Sequence, residues 1–248
     1  MSSARKTAVA AGVFFIVAAA AAIAGLVLYG PVLNDPHYIV TASGGDARVL
    51  LGAFFEVILA IAVIGTAVTL FPVVKRQSEG IALGYVAGRV LEAVVIVAGI
   101  ISLLSVVTLR RDAAGAAGAN AASLVTAGKT LVALHDWTFL FGPGLAIGVN
   151  TLLLAYLMYR SRLVPRLVAV IGLTGGPLIF ASSAAVLFGL YEQVSALGMI
   201  AAVPVFVWEM SLAVWLIVKG FRPSAFASLG ARQAEGTEGP PALAAAAG

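Results

Sequence analysis

The sequence contains no cysteine. That absence excludes disulfides, thiolate metal sites, iron–sulfur ligation and cysteine nucleophiles, and it leaves the redox compartment open. Histidine is scarce as well. Only His37 and His135 occur, so multi-histidine zinc sites are excluded, and a bis-histidyl haem would need both, one of which falls in a loop. Charge is the third scarcity: 10% of the 248 residues are charged, against about a quarter in ordinary globular domains. No soluble domain remains that could carry a Walker A pattern or a dinucleotide fingerprint.

What the chain does contain is apolar. Hydrophobic residues make up 61% of it and the mean hydropathy is +1.06. A helix needs about 20 residues to cross a hydrocarbon core about 30 Å thick. Six runs of sufficient length, over about 7–30, 49–71, 81–108, 131–159, 167–190 and 196–218, predict an all-α, polytopic bundle of about six transmembrane helices. The formal charge of +4 does not point to nucleic acid, because Lys and Arg sit in the short segments between the runs. One set of alternating flanks holds ten of them, including Arg5, Lys75, Arg160, Arg162 and Arg222, and the other holds Arg48, Arg110, Arg111 and Lys129. Basic loops resist translocation, which predicts cytoplasmic N- and C-termini.

Arg5-Lys6 followed by an alanine-rich run resembles a signal peptide. The apolar run continues well past the alanines, so an uncleaved first span is expected. Residues 113–129 read as an external Ala/Gly-rich loop with a helical turn leading into the fourth span, and 223–248 as a disordered cytoplasmic tail rich in Ser, Ala, Gly, Glu and Pro. Helix breakers cluster at Gly142-Pro143-Gly144, Gly175-Gly176-Pro177 and Pro204. Such breaks can line transporter sites, but tolerated kinks account for them more simply. Gly84/Gly88, Gly144/Gly148 and Gly172/Gly176 have the small-xxx-small spacing that lets helices approach closely.

Charged groups within hydrocarbon need a partner, water or a neutral form. Counting 1.5 Å per residue from the inner boundary puts Arg89 at about 12 Å, Glu209 at about 13 Å and Glu92 at about 16 Å. Tyr85, Arg89 and Glu92, at i, i+4 and i+7, share one stripe of the third span. With Glu209 of the sixth span they form a candidate intramembrane polar layer. A proton or cation site and a brace that docks the third span on the sixth are both open, and the brace by itself satisfies the electrostatics. Glu56, at about 22 Å, joins His135 and Asp136 in a candidate outer acidic cluster. Adjacent helical residues point about 100° apart, so His135 and Asp136 cannot chelate one ion; beside Trp137, an interfacial anchor is the simpler reading. The four carboxylates Glu56, Glu92, Asp136 and Glu209 face one permanent cation, Arg89, and one conditional cation, His135. At least two carboxylates therefore require water or a proton. No residue set points to a catalytic centre, a bound metal or a cofactor.

The segments EGIALGYVAGRVLEAV (79–94), ALHDWTFLFGPG (133–144), LMYRSRLVPRLVAVIGLTG (157–175) and WEMSLAVWLIVKGF (208–221) resemble the uncharacterised bacterial membrane family catalogued as domain of unknown function 4386. The resemblance runs from the first helix to Phe221 and takes in Arg89, Glu92, His135, Asp136 and Glu209. It implies a six-helix protein of a bacterial inner membrane and carries no mechanism. The leading expectation is a non-enzymatic membrane protein, either a transporter for a small solute or proton or a structural or regulatory component. The alternative is an intramembrane enzyme or electron-transfer protein acting on a lipid or quinone. Partners other than the bilayer, and the oligomeric state, are not legible.

Overall fold

The structure is a computed structural model that describes residues 2–40, 45–115 and 121–237. It is 87% helical, with no strand among the described residues. The helices are α1 (Ser3–Leu28), α2 (Gly30–Asn34), α3 (Asp46–Val74), α4 (Glu79–Gly115), α5 (Ala121–Phe139), a π-helical turn (Leu140–Ala146), α6 (Ile147–Ser161), α7 (Arg166–Leu187), α8 (Ala196–Val218) and α9 (Pro223–Thr237). Six stretches are long and apolar enough to span a membrane: Ser3–Leu28, Asp46–Val74, Glu79–Ala113, Ala121–Ser161, Arg166–Leu187 and Ala196–Val218.

Local chemistry sets their ends. Ser2 and Ser195 cap α1 and α8 by accepting from the Arg5 and Gly198 amides, which satisfies N–H groups that a helix start leaves unpaired. Gly189 and Gly220 take positive φ just beyond α7 and α8. Thr and Ser hydroxyls inside the spans bond back to carbonyls one turn earlier, as Thr69 does to Gly65 at 2.7 Å, so few polar groups face lipid unpaired.

Two expectations need correction. Residues 113–129 are mostly helix: α4 runs to Gly115 and α5 begins at Ala121, because alanine, the strongest helix former, outweighs the scattered glycines. Residues 116–120 lie outside the described residues. The segment expected as a disordered tail starts as helix α9, held by buried Leu229 and by Phe226 stacked on Phe221 at 6.2 Å; 238–248 lie outside the described residues.

The six spans form a closed ring. Each packs on its neighbour in sequence, and α8 packs back on α1. Small residues permit the tightest contacts. A Cβ on Gly148 would lie 2.9 Å from the Gly176 carbonyl oxygen, and one on Gly176 would lie 2.7 Å from that of Gly148, so the α6 and α7 backbones touch. Proline does not break α7 or α8, which continue through Pro177 and Pro204. At Pro143 the chain adopts the π turn instead, a widening that relieves the clash of a proline ring with the preceding turn.

The ring carries two packed layers. Toward the face holding Ser3 and Val218, here the basic face, Phe15, Tyr85, Leu154, Met158, Trp208 and Leu212 form a fully buried plug. Toward the opposite, far face, α1, α3, α4 and α5 pack around Tyr29, Val63, Ile96 and Leu103.

A charged cavity at the centre of the ring

Arg89 projects from α4 into the ring interior. Its Nη2 donates to Glu209 Oε1 of α8 at 2.8 Å, and its Nη1 to Glu92 Oε2 at 3.2 Å. Arg89 and Glu92 are each 3% exposed. The guanidinium lies over the rings of Tyr85 and Phe15, 5.6 and 5.8 Å from their centroids, so the plug ends in aromatic faces that favour a cation. The Tyr85 hydroxyl shares a hydrogen bond with Thr66 at 3.2 Å.

The expected docking of the third span on the sixth is not what holds this layer. The neighbours of α4 in the ring are α3 and the α5–π–α6 span, while α8 neighbours α7 and α1. Arg89 therefore bridges the interior to a helix on which α4 does not pack. Long side chains reach across where backbones do not, and one-dimensional depth estimates cannot separate those two cases.

An uncharged residue of α6, Asn150, completes the layer. Its Nδ2 donates to Glu92 Oε2 at 2.7 Å from a fully buried position on α6. Gly88, one turn before Glu92, makes room for it: a Cβ there would fall 2.0 Å from Asn150 Oδ1. An amide in an otherwise apolar run was the available signal, since such a group in lipid needs a partner.

Above this layer is a cavity of about 220 Å³. Glu56 of α3, Arg89 and Glu92 of α4, His135 of α5, Pro143 of the π turn and Glu209 of α8 all line it. Arg89, Glu92 and Glu209 of the inner layer and Glu56 and His135 of the outer cluster thus line one cavity, while Tyr85 does not reach it. His135 is buried, edge-on to Tyr29 at 5.7 Å and stacked on Phe139 at 6.4 Å. The Tyr29 hydroxyl is also buried, facing Glu56 but outside hydrogen-bond geometry. Asp136 does not join them. It is exposed, lines a second pocket of about 190 Å³ with Asp35, Tyr38 and Lys129, and touches His135 Nδ1 at 3.5 Å. The His135–Asp136 contact links the two pockets. The side wall of the central cavity includes Ile23 and Leu26, which are 57% and 46% exposed, so the cavity also reaches the lipid-facing surface.

A further polar knot lies at the far face. Asp46 at the start of α3 pairs with Arg110 and, at 3.1 Å, with Arg111 Nε, and accepts from the Tyr38 hydroxyl at 3.0 Å. Burial, reinforced by the Asp46 carboxylate, pushes the Tyr38 hydroxyl up to about 12. No cluster of three or more His, Asp or Glu suited to a metal ion occurs among the described residues.

Six apolar spans closed around a charged interior define a multi-pass integral membrane protein. The chain matches the family described as domain of unknown function 4386 over residues 10–220, and it belongs to that family. No curated protein and no solved structure matches it.

Proposed function

We propose that the protein translocates protons, on their own or with a small solute, through the interior of the ring, and that it sits in a bacterial inner membrane with the basic face and both termini in the cytoplasm. The observation that carries this reading is the convergence of Glu56, Glu92, Glu209, Arg89 and His135 on one cavity. Three carboxylates and one permanent cation leave negative charge that a low-dielectric interior does not tolerate. Protons or a small cation can neutralise it, and their arrival and departure are then transport events. Asp136 is exposed to the far face and touches buried His135, a sequence of groups suited to passing a proton inward. On the basic side the plug around Tyr85, Leu154 and Trp208 closes the route, as alternating access requires of a carrier open to one side.

Proteoliposomes under an imposed potential test the reading. Proton uptake should exceed that of protein-free vesicles, fall at least tenfold in Glu92→Gln, and persist in Lys75→Gln. If Glu92→Gln lowers thermal stability but leaves flux unchanged, the layer is a brace between helices and the transport reading fails. One observation favours a second reading, in which a lipid or quinone is the ligand: Ile23 and Leu26 give the cavity an apolar side entrance. A quinone or lipid retained through purification and lost in Glu56→Gln would favour that reading.

A further inference from the structure

On the basic face, outside the central cavity, a pocket of about 640 Å³ lies between the α6–α7 connection and the start of α9. Arg160, Arg162, Arg166 and Arg222 line it, with Ser224 and Ser228. Among the described residues, no acidic side chain lines it and none of the four arginines is in an ion pair. A general excess of cytoplasmic arginine does not by itself gather four guanidinium groups around one concavity.

The pocket is also fixed in shape. The Arg222 amide donates to the Leu163 carbonyl at 2.9 Å, which ties the α6–α7 connection to the α8–α9 connection. Arg162 adopts a left-handed conformation, φ 57°, which turns the chain sharply before Pro165. Arg166 stacks over Tyr159 at 5.4 Å, and Arg222 over Trp215 at 5.9 Å. Both aromatic residues lie at the ends of spans, where such rings settle at headgroup depth. The pocket also adjoins the first turns of α7 and α9, whose dipoles favour an anion.

We propose that this pocket binds the phosphate of an anionic phospholipid headgroup. Guanidinium groups offer forked donors that match phosphate oxygens, and basic pockets at helix ends suit such headgroups. The headgroup depth implied by Tyr159 and Trp215 favours a lipid over a soluble phosphate. The site is independent of the transport reading, and its ligand would be structural or regulatory.

Native mass spectrometry of the full chain in detergent, titrated with phosphatidylglycerol or phosphatidylcholine, tests this. Phosphatidylglycerol should be retained in preference to phosphatidylcholine. Its affinity should fall by roughly tenfold or more in Arg160→Gln/Arg222→Gln, given the contribution expected of each basic group near an anionic surface. The charge-matched control Lys6→Gln/Lys75→Gln removes no donor that lines the pocket and should stay within about twofold of wild type, because the forked phosphate contacts remain. Should the double variant not fold, Arg162→Asn, which tolerates the left-handed backbone, should show the same selective loss. Equal losses in the control and the pocket variants would mean diffuse surface attraction and overturn the proposal. So would equal retention of the two lipids, or full displacement of bound phosphatidylglycerol by an equimolar amount of inorganic phosphate, which would make the ligand a soluble phosphate.

Discussion

Removing the charge of Arg89 is the most informative perturbation of the interior. In Arg89→Gln, Glu209 loses a partner at 2.8 Å and Glu92 one at 3.2 Å, while Asn150 still donates to Glu92. Stranding one member of a buried ion pair costs about 3–5 kcal/mol. For a chain of this size each kcal/mol moves the midpoint by about 2–4 °C, so the Tm should drop by roughly 10 °C. The double variant Arg89→Gln/Glu209→Gln removes the charge stranded on α8 and should recover about half of that loss. The triple variant, with Glu92→Gln added, leaves a neutral amide network and should approach wild type, since uncharged replacements of buried ion pairs are often neutral or stabilising. Thermal unfolding in detergent at pH 7, followed by tryptophan fluorescence, reads all four proteins. If the triple variant is less stable than Arg89→Gln alone, uncompensated charge is not what the interior must avoid, and the reasoning fails.

Gly88→Ala would place a Cβ on Asn150 and break its bond to Glu92, costing about 2 kcal/mol; the Tm of Gly88→Ala against Gly84→Ala, where a Cβ has ordinary contact distance, checks it. Gly148→Leu should separate α6 from α7 and cost about 3 kcal/mol, measured the same way. Tyr38 titrates higher in the folded protein than the ordinary value of 10.0, at about 12. Its contribution is therefore complete below pH 10 and lost as pH rises toward 12. Wild type should lose more Tm than Tyr38→Phe across that window, and parallel profiles would refute the assignment. His135→Gln should slow proton uptake from the far face by about tenfold or more while moving the Tm by only a few degrees, as read by vesicle flux beside unfolding.

The six spans were legible because each is a long run that lipid demands and water does not allow. Their ends were less so. Residues 113–115 read as the start of a loop, yet α4 runs through them to Gly115, with Arg110 and Arg111 one turn earlier both paired to Asp46. The polar layer was legible at the level of depth, since Arg89, Glu92 and Glu209 fall at similar heights. Depth says nothing of direction around a helix axis. Glu56 and His135 looked like part of a separate outer group, yet both line the cavity with Arg89, while Asp136, one residue on from His135, lines another pocket. Asn150 stayed hidden because an uncharged amide leaves almost no trace in a hydropathy profile.

The contact between the first and last spans bears on how the molecule is made. A Cβ on Gly12 would lie 2.7 Å from the Ala213 carbonyl oxygen, so the ring closes at a seam that forms only once the final span has left the ribosome. Until then α4 enters the bilayer with Arg89 and Glu92 compensating each other three residues apart, a self-neutral cargo. Glu209 has no such companion on α8, and a bare carboxylate at mid-membrane costs about 2.5–3.5 kcal/mol on insertion. Arg89, synthesised 120 residues earlier, is the group that offsets this penalty, so a defect at Arg89 should surface during biogenesis as a last helix left outside the membrane.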